Sequence, residues 1–250
     1  MIDWLRRLAR EPAATARPIA PRTISVEGRD LPLVIRRLSH ARRMTLRLAP
    51  DGSEARVSIP SWGRVGDAVA FARDRADWLG AQLARMPARA AVEAGSTVPY
   101  RGEILRVVWQ DGAPRRPVLD DGEIVLGGPQ EGLQTRLARW LEAEALRVMA
   151  GDLAHYCARA GQDAPRLALS RAQRRWGSCA ADGSIRMNWR LIMAPDFVRR
   201  SVVAHEVAHL THFDHSPAFH AHLDALYDGR IEDANRWLKR EGRGLYRHFG

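Results

Sequence analysis

Val203-Ala204-His205-Glu206-Val207-Ala208-His209-Leu210-Thr211-His212-Phe213-Asp214-His215-Ser216 is the stretch from which the rest of this chain can be read. His205 and His209 are four residues apart, which on a helix puts both imidazoles on one face, a turn from each other. Two neutral imidazoles so placed can bind one zinc ion. Glu206 follows the first of them. Its carboxylate can reach a water on the metal without ligating it, take the water's proton and later pass it to a leaving group. Val202, Val203 and Ala204 precede the motif, and Val207, Ala208 and Leu210 lie within and after it. A half-buried helix that carries ligands has this character. A surface helix with scattered histidines would leave a charged Glu206 in an apolar stretch with nothing to compensate it. Chance produces HExxH in a chain of this length on the order of once in a hundred.

A catalytic zinc takes three protein ligands and keeps one position open. His215, ten residues after His205, is the candidate third ligand, provided the chain leaves the helix and turns back. His212 shares the helix face but lies about 10 Å along the axis from His205 at 1.5 Å per residue, which suits a supporting or surface role. His220 and His222 read as surface or packing residues, and Glu232 is a weaker rival as a carboxylate ligand.

Outward from the motif, Pro195 opens a helix that is predicted to run to about His212, and Ser216-Pro217 fits an N-cap with proline at N1, so further helices are expected over 217–227 and 230–241. Upstream, Arg166–Ala172 and Ser184–Asn188 read as strands on either side of Trp176-Gly177-Ser178-Cys179, a turn or irregular segment in which Gly177 suggests a close backbone approach. Cys179 can be read as a soft ligand or as part of a structural turn. Leu133, Leu137, Trp140, Leu141, Leu146, Met149 and Leu153 recur at helical intervals through 130–160. Before that, Leu31–Leu38, Met44–Ala49, Ala55–Ile59, Val98–Tyr100, Ile104–Trp109 and Glu123–Leu126 read as strands, interrupted by one helix over 66–86. The expected division is a flexible segment over 1–22, with a short helix through Trp4, Leu5 and Leu8 as the alternative, then a strand-rich part over 23–127 and a metallohydrolase domain over 128–250. No internal repeat is legible.

Arg175-Trp176-Gly177-Ser178-Cys179, Ile185-Arg186-Met187-Asn188-Trp189-Arg190-Leu191, His205-Glu206-x-x-His209 and His215-Ser216 together resemble the YgjP-like family of metal-dependent hydrolases, which is similar to the SprT and WLM metalloprotease groups. The likeness is dense over 166–225 and looser over the N-terminal strands. It implies one zinc ion on His205, His209 and His215, with Glu206 as general base. The implied fold is α+β: a zincin-like, minigluzincin-type core in which the HExxH helix packs on a small sheet. Metzincins share the ten-residue offset to a third histidine, but they carry glycine where this chain has His212, so membership there is not assigned.

The composition is that of an ordinary globular protein, 46% hydrophobic and 27% charged over 250 residues. Two cysteines make no disulfide framework, and no apolar run approaches a membrane span, so the reading is a cytoplasmic protein without a membrane. The net charge of +10 is carried almost wholly by arginine, the one lysine being Lys239. Three functions are compatible with these features, in order of preference. The first is a peptidase acting on a peptide or protein, with Ser184–Asn188 as a candidate sheet edge and Ser178, Asn188, Arg175 and Arg190 as candidate substrate contacts. The second is a nucleotide pyrophosphatase or other phosphohydrolase on a phosphate-containing small molecule, if Arg171, Arg174, Arg175, Arg186 and Arg190 gather at the metal. The third is a nucleic-acid-binding module with a structural metal. A weak association with nucleic acid through the Arg-rich surface, including Arg36, Arg37, Arg42 and Arg43, is also compatible with the first.

Overall fold

The computed structural model describes residues 22–49, 51–84 and 91–249. The expected lead-in over 1–21, the helix through Trp4, Leu5 and Leu8, and the end of the predicted 66–86 helix lie outside these residues. The chain divides into two compact units, one within Met1–Ala88 and one within Arg89–Gly250.

In the first unit, Ile24, Val26, Leu31, Leu33, Ile35, Val57 and Ile59 are buried at alternate positions, the period-two pattern of half-buried strands. The strands are β1 (Arg22–Val26), β2 (Arg29–Leu38), β3 (Thr45–Leu48) and β4 (Ala55–Pro60), in the order β1-β2-β4-β3. β2 and β4 are parallel and the outer pairs antiparallel. The apolar face packs on Ala68, Ala72 and Leu79 of α1 (Val65–Arg73) and α2 (Ala76–Ala84). The single helix read over 66–86 is thus two. The chain tightens at Asp74-Arg75, where the Arg75 N–H bonds the Ala72 carbonyl.

The second unit begins with the same strand order. β5 (Thr97–Tyr100), β6 (Glu103–Trp109), β7 (Val118–Asp120) and β8 (Glu123–Leu126) form a sheet ordered β5-β6-β8-β7, again with a parallel central pair. This is an internal repeat of topology that the sequence conceals, because the two sheets share turn chemistry rather than side chains. Glu27-Gly28 and Arg101-Gly102 both have positive φ at both positions (48° and 76°, 52° and 89°) and join the leading hairpins, the two-residue turn that suits strand twist. The division into compact units after Ala88 puts β5–β8 in the second unit. β5–β8 belong with the C-terminal part of the chain because the Tyr100 ring stacks on Trp140 at 5.4 Å and the Tyr100 hydroxyl donates to Glu144 at 3.1 Å.

α3 (Leu133–Ala160) buries Leu133, Leu137, Trp140, Leu141, Ala145, Met149, Leu153 and Tyr156 along one stripe; Leu146 falls off it and is exposed. Next come β9 (Leu167–Ser170), β10 (Gly177–Cys179) and β11 (Ile185–Asn188), in the order β10-β11-β9. β11, expected at a sheet edge, is central, being antiparallel to β10 and parallel to β9. The edges on either side of it are β10 and β9. A 3-10 turn over Trp189–Met193 leads into α4 (Asp196–Ala208), α5 (Pro217–Leu226), α6 (Ile231–Glu241) and a closing 3-10 turn over Gly242–Tyr246. The fold is mixed α+β, with six α-helices and three small sheets among the described residues. None of these helices is long and apolar enough to cross a membrane.

Candidate metal centre

α4 is buried nearly all round, Arg199, Ser201 and Glu206 being covered along with Val198, Val202, Val203, Ala204, Val207 and Ala208. It stops at Ala208, short of the predicted His212. The amides of Leu210 and Thr211 bond back three residues, to Val207 and Ala208, and His209 is the C-cap. This tightened exit brings His215 back to the helix. His205 Nε2 lies 3.2 Å from His209 Nε2 and 3.3 Å from His215 Nε2. The three ligand atoms fall within 4.8 Å of one another, and no other such group of three His, Cys, Asp or Glu occurs among the described residues. A tetrahedral ion with metal–nitrogen bonds of about 2.0–2.1 Å requires neighbouring nitrogens about 3.3 Å apart, so the site fits a divalent metal.

The rings are held in the ligand form. His209 Nδ1 is 3.0 Å from the His212 carbonyl, which can only accept. The proton therefore sits on Nδ1 and the Nε2 lone pair faces the cluster. Burial, then the neighbouring His209 and His215, push the His205 pKa down to about 3, and burial lowers that of His209. His212 thus contributes through its carbonyl, while its ring turns to His222 at 5.5 Å. Glu232 is exposed on α6 and outside the cluster. Cys179 is also outside the cluster, and its thiol is pushed up to about 11 by burial and then by Glu206 and Asp182.

Phe219, which sequence reading passed over, is fully buried and meets all three rings, at 5.0 Å from His205, 4.6 Å from His209 and 4.8 Å from His215. A signal for it was available. Ser216 caps α5 by accepting from the Phe219 amide, with Pro217 in the first turn, so Phe219 is the first large apolar residue of that helix.

Glu206 is 5% exposed and lies against β10. A Cβ on Gly177 would stand 2.4 Å from Glu206 Oε1 and 2.7 Å from its Cγ, so only glycine admits the carboxylate here. The reason lies in the strand register. Asn188 donates to Trp176 and Ala180 to Ser184, which makes these hydrogen-bonded pairs with β11. Alternation then points the backbone groups of Gly177 and Cys179 away from β11, and the Cys179 N–H bonds the Glu206 carboxylate. Burial pushes the Glu206 pKa up to about 8, opposed by Arg175 and that amide.

The candidate substrate residues separate. Arg175 is exposed and acts electrostatically on Glu206. Ser178 is opposite Arg186 in the register, one position from Gly177, so both point to the other face of the sheet. Asn188 is fully buried. It donates to the Ala172 carbonyl (2.8 Å) and the Tyr246 hydroxyl (3.2 Å) and accepts from the Arg190 amide (3.1 Å). Arg190 bonds the Phe249 carbonyl from Nε at 3.0 Å and packs over Trp189 and Tyr246. Asn188 and Arg190 thus fasten the C-terminal segment. Arg171 pairs with Glu142 at 2.6 Å.

Sequence reading also missed Arg199, which is 1% exposed inside α4. Its Nε donates to Asp152 of α3 at 2.7 Å and its Nη1 to Asp196, which Arg101 also holds. An arginine within an apolar helical run requires buried acidic partners, but nothing in the local pattern says where they stand.

A family model described as YgjP-like, metallopeptidase domain, matches residues 42–241. The chain belongs to the YgjP-like metallopeptidase family. Neither a curated protein nor a solved structure matches it. As a member of this family it is a metal-dependent hydrolase. The YgjP-like match takes in α4 and the histidine cluster, and it begins inside the first unit, ahead of β3.

Proposed function

We propose that this protein is a zinc-dependent metallopeptidase with a zincin-like, minigluzincin-type core, the HExxH helix α4 lying on the sheet β10-β11-β9. The observation that carries the reading is the convergence of three imidazoles, with His205 Nε2 at 3.2 Å from His209 Nε2 and 3.3 Å from His215 Nε2 and all three ligand atoms within 4.8 Å, beside an ionisable, nearly buried Glu206. His205, His209 and His215 would hold one zinc ion. When bound, zinc lowers the pKa of water and polarises a carbonyl. Glu206 takes the proton of the attacking water on its carboxylate and returns it to the leaving amine. The Cys179 amide orients that carboxylate, and Gly177 leaves it room. Phe219 keeps the three rings in place, and the His212 carbonyl sets the tautomer of His209.

Peptide chemistry is favoured because β10 is an edge strand on which Gly177 turns its N–H and carbonyl, and Cys179 its carbonyl, away from β11, a template on which an extended peptide can add as a strand. Phosphate chemistry loses support because Arg171 pairs with Glu142, Arg186 is on the other face of the sheet and Arg190 holds the Phe249 carbonyl, while Arg175 acts on Glu206. The test is the metal content of wild type and His209→Ala, followed by assays on a casein digest and a panel of nucleoside triphosphates. We expect one zinc per chain, lost on substitution, and peptide cleavage that Glu206→Gln abolishes while keeping the metal. Turnover of the nucleotides alone would overturn the peptidase reading. A metal-free protein that takes up no zinc would overturn the site.

A further inference from the structure

The first unit carries a second surface that the hydrolase site does not use. Its core side chains, Leu33, Ile35, Ala55, Val57 and Leu46, alternate with residues on the opposite face of the sheet. In register, Val34 of β2 faces Arg56 of β4, which faces Arg47 of β3; two residues further along β2, Arg36 faces Ser58, which faces Thr45. Arg36, Arg47 and Arg56 therefore share the outer face, away from α1 and α2. β2 and β4 run parallel, so both end at the same edge, where Leu38 pairs with Pro60. There the β2–β3 connection presents Arg42 and Arg43, both exposed. At the same edge stands Trp62, 77% exposed. Its turn is pinned by Arg37 Nη1, which donates to the carbonyls of Ser61 (2.8 Å) and Gly63 (2.6 Å). Between Arg36 and Arg64 the chain has seven arginines and two acidic residues, Asp51 and Glu54. Of the unit's other described acidic residues, Asp67, Asp74 and Asp77 lie on the helical side, Glu27 and Asp30 stand at the β1–β2 turn at the far end of β2 from Arg36, and Arg56 pairs with Glu54 at 2.6 Å.

A basic face with one solvent-facing indole on a pinned turn at its end matches a partner that offers both phosphates and unstacked bases. We propose that this face binds single-stranded nucleic acid, with Arg36, Arg42, Arg43 and Arg47 along the phosphates and a base stacked on Trp62. A duplex keeps its bases stacked and offers the indole nothing. An anionic bilayer would call for an apolar stripe around the tryptophan, whereas its turn, Ser61-Trp62-Gly63, is held by Arg37 and followed by Arg64.

The test is fluorescence anisotropy of a labelled oligouridine with the full chain. Binding at low salt should weaken with rising salt, with a log–log slope of about −3 for four phosphate contacts. Trp62→Ala should weaken it about tenfold and Trp62→Phe should restore most of the loss. Arg42→Glu with Arg43→Glu should weaken it more and flatten the salt slope. Thermal melts and metal content, unchanged in every variant, separate lost binding from lost fold. No binding at low salt, equal binding by all variants, or preference for duplex or phosphatidylserine vesicles would overturn the proposal.

Discussion

Gly177 stands where a methyl group would overlap the Glu206 carboxylate, at 2.4 Å from Oε1. The consequence is specific to one residue. Gly177→Ala should displace Glu206 while leaving the three histidines on their own side chains. Displacement of a reacting group by about 1 Å costs on the order of a hundredfold in rate, so hydrolysis should fall by about that factor while metal content holds. Loss of metal together with activity would mean that the glycine serves the cluster as a whole. At this scale the sequence was most informative where spacing alone fixes geometry, as for His205, Glu206 and His209. It was least informative for Phe219, Asn188, Arg190 and Arg199, whose partners come from distant segments: Asn188 and Arg190 look like polar strand-end residues until Tyr246 and Phe249 are packed on them.

Among the elements, α4 is held at its start as well as its end. The Arg101 amide of the β5–β6 turn donates to the Ile192 carbonyl at 2.7 Å, and Gly102 abuts Pro195 so closely that a Cβ would stand 2.9 Å from Pro195 Cα. Asp196, in the first turn of α4, accepts from both Arg101 and Arg199. Burial alone would raise its carboxyl pKa, but these two hydrogen bonds outweigh it and hold the group down at about 2, against about 3.9 in an unfolded chain. A depressed carboxylate stabilises the fold above its unfolded pKa and ceases to do so as pH falls through the folded value. The stabilisation should therefore disappear between about pH 4 and pH 2. Urea melts over that range should show Asp196→Asn less stable than wild type at neutral pH and converging with it in acid. Curves that stay parallel would remove Asp196 from the acid response. The helices themselves were legible: Ser216-Pro217 sets the start of α5, and the run from Leu133 marks α3. The end of α4 was not, because Leu210 continues the apolar helical spacing past Ala208, where the helix stops and the chain turns to return His215.

For the whole molecule, the division into two units with separate cores places the histidine cluster wholly within Arg89–Gly250. Metal should accordingly stabilise that unit alone. In calorimetry of the full chain, free zinc at about 100 times its dissociation constant should raise the stability of one transition by about 2.7 kcal/mol and leave the other where it stands in chelator. A shift of both transitions together would mean that the units unfold as one. The sequence by itself determined what depends on near neighbours: the helical and strand periods, the ligand pair one turn apart, the caps and turns, and the family to which those residues point. Only the tertiary structure decided that β10 and β9 rather than β11 form the sheet edges, that β5–β8 join the hydrolase unit, that two sheets repeat one strand order, and that Gly177 and Phe219 enclose the site. Periodicity records which face of a segment is apolar. It carries no record of which distant segment that face will meet, because pairing between strands and packing between helices are settled by the whole chain closing on its cores.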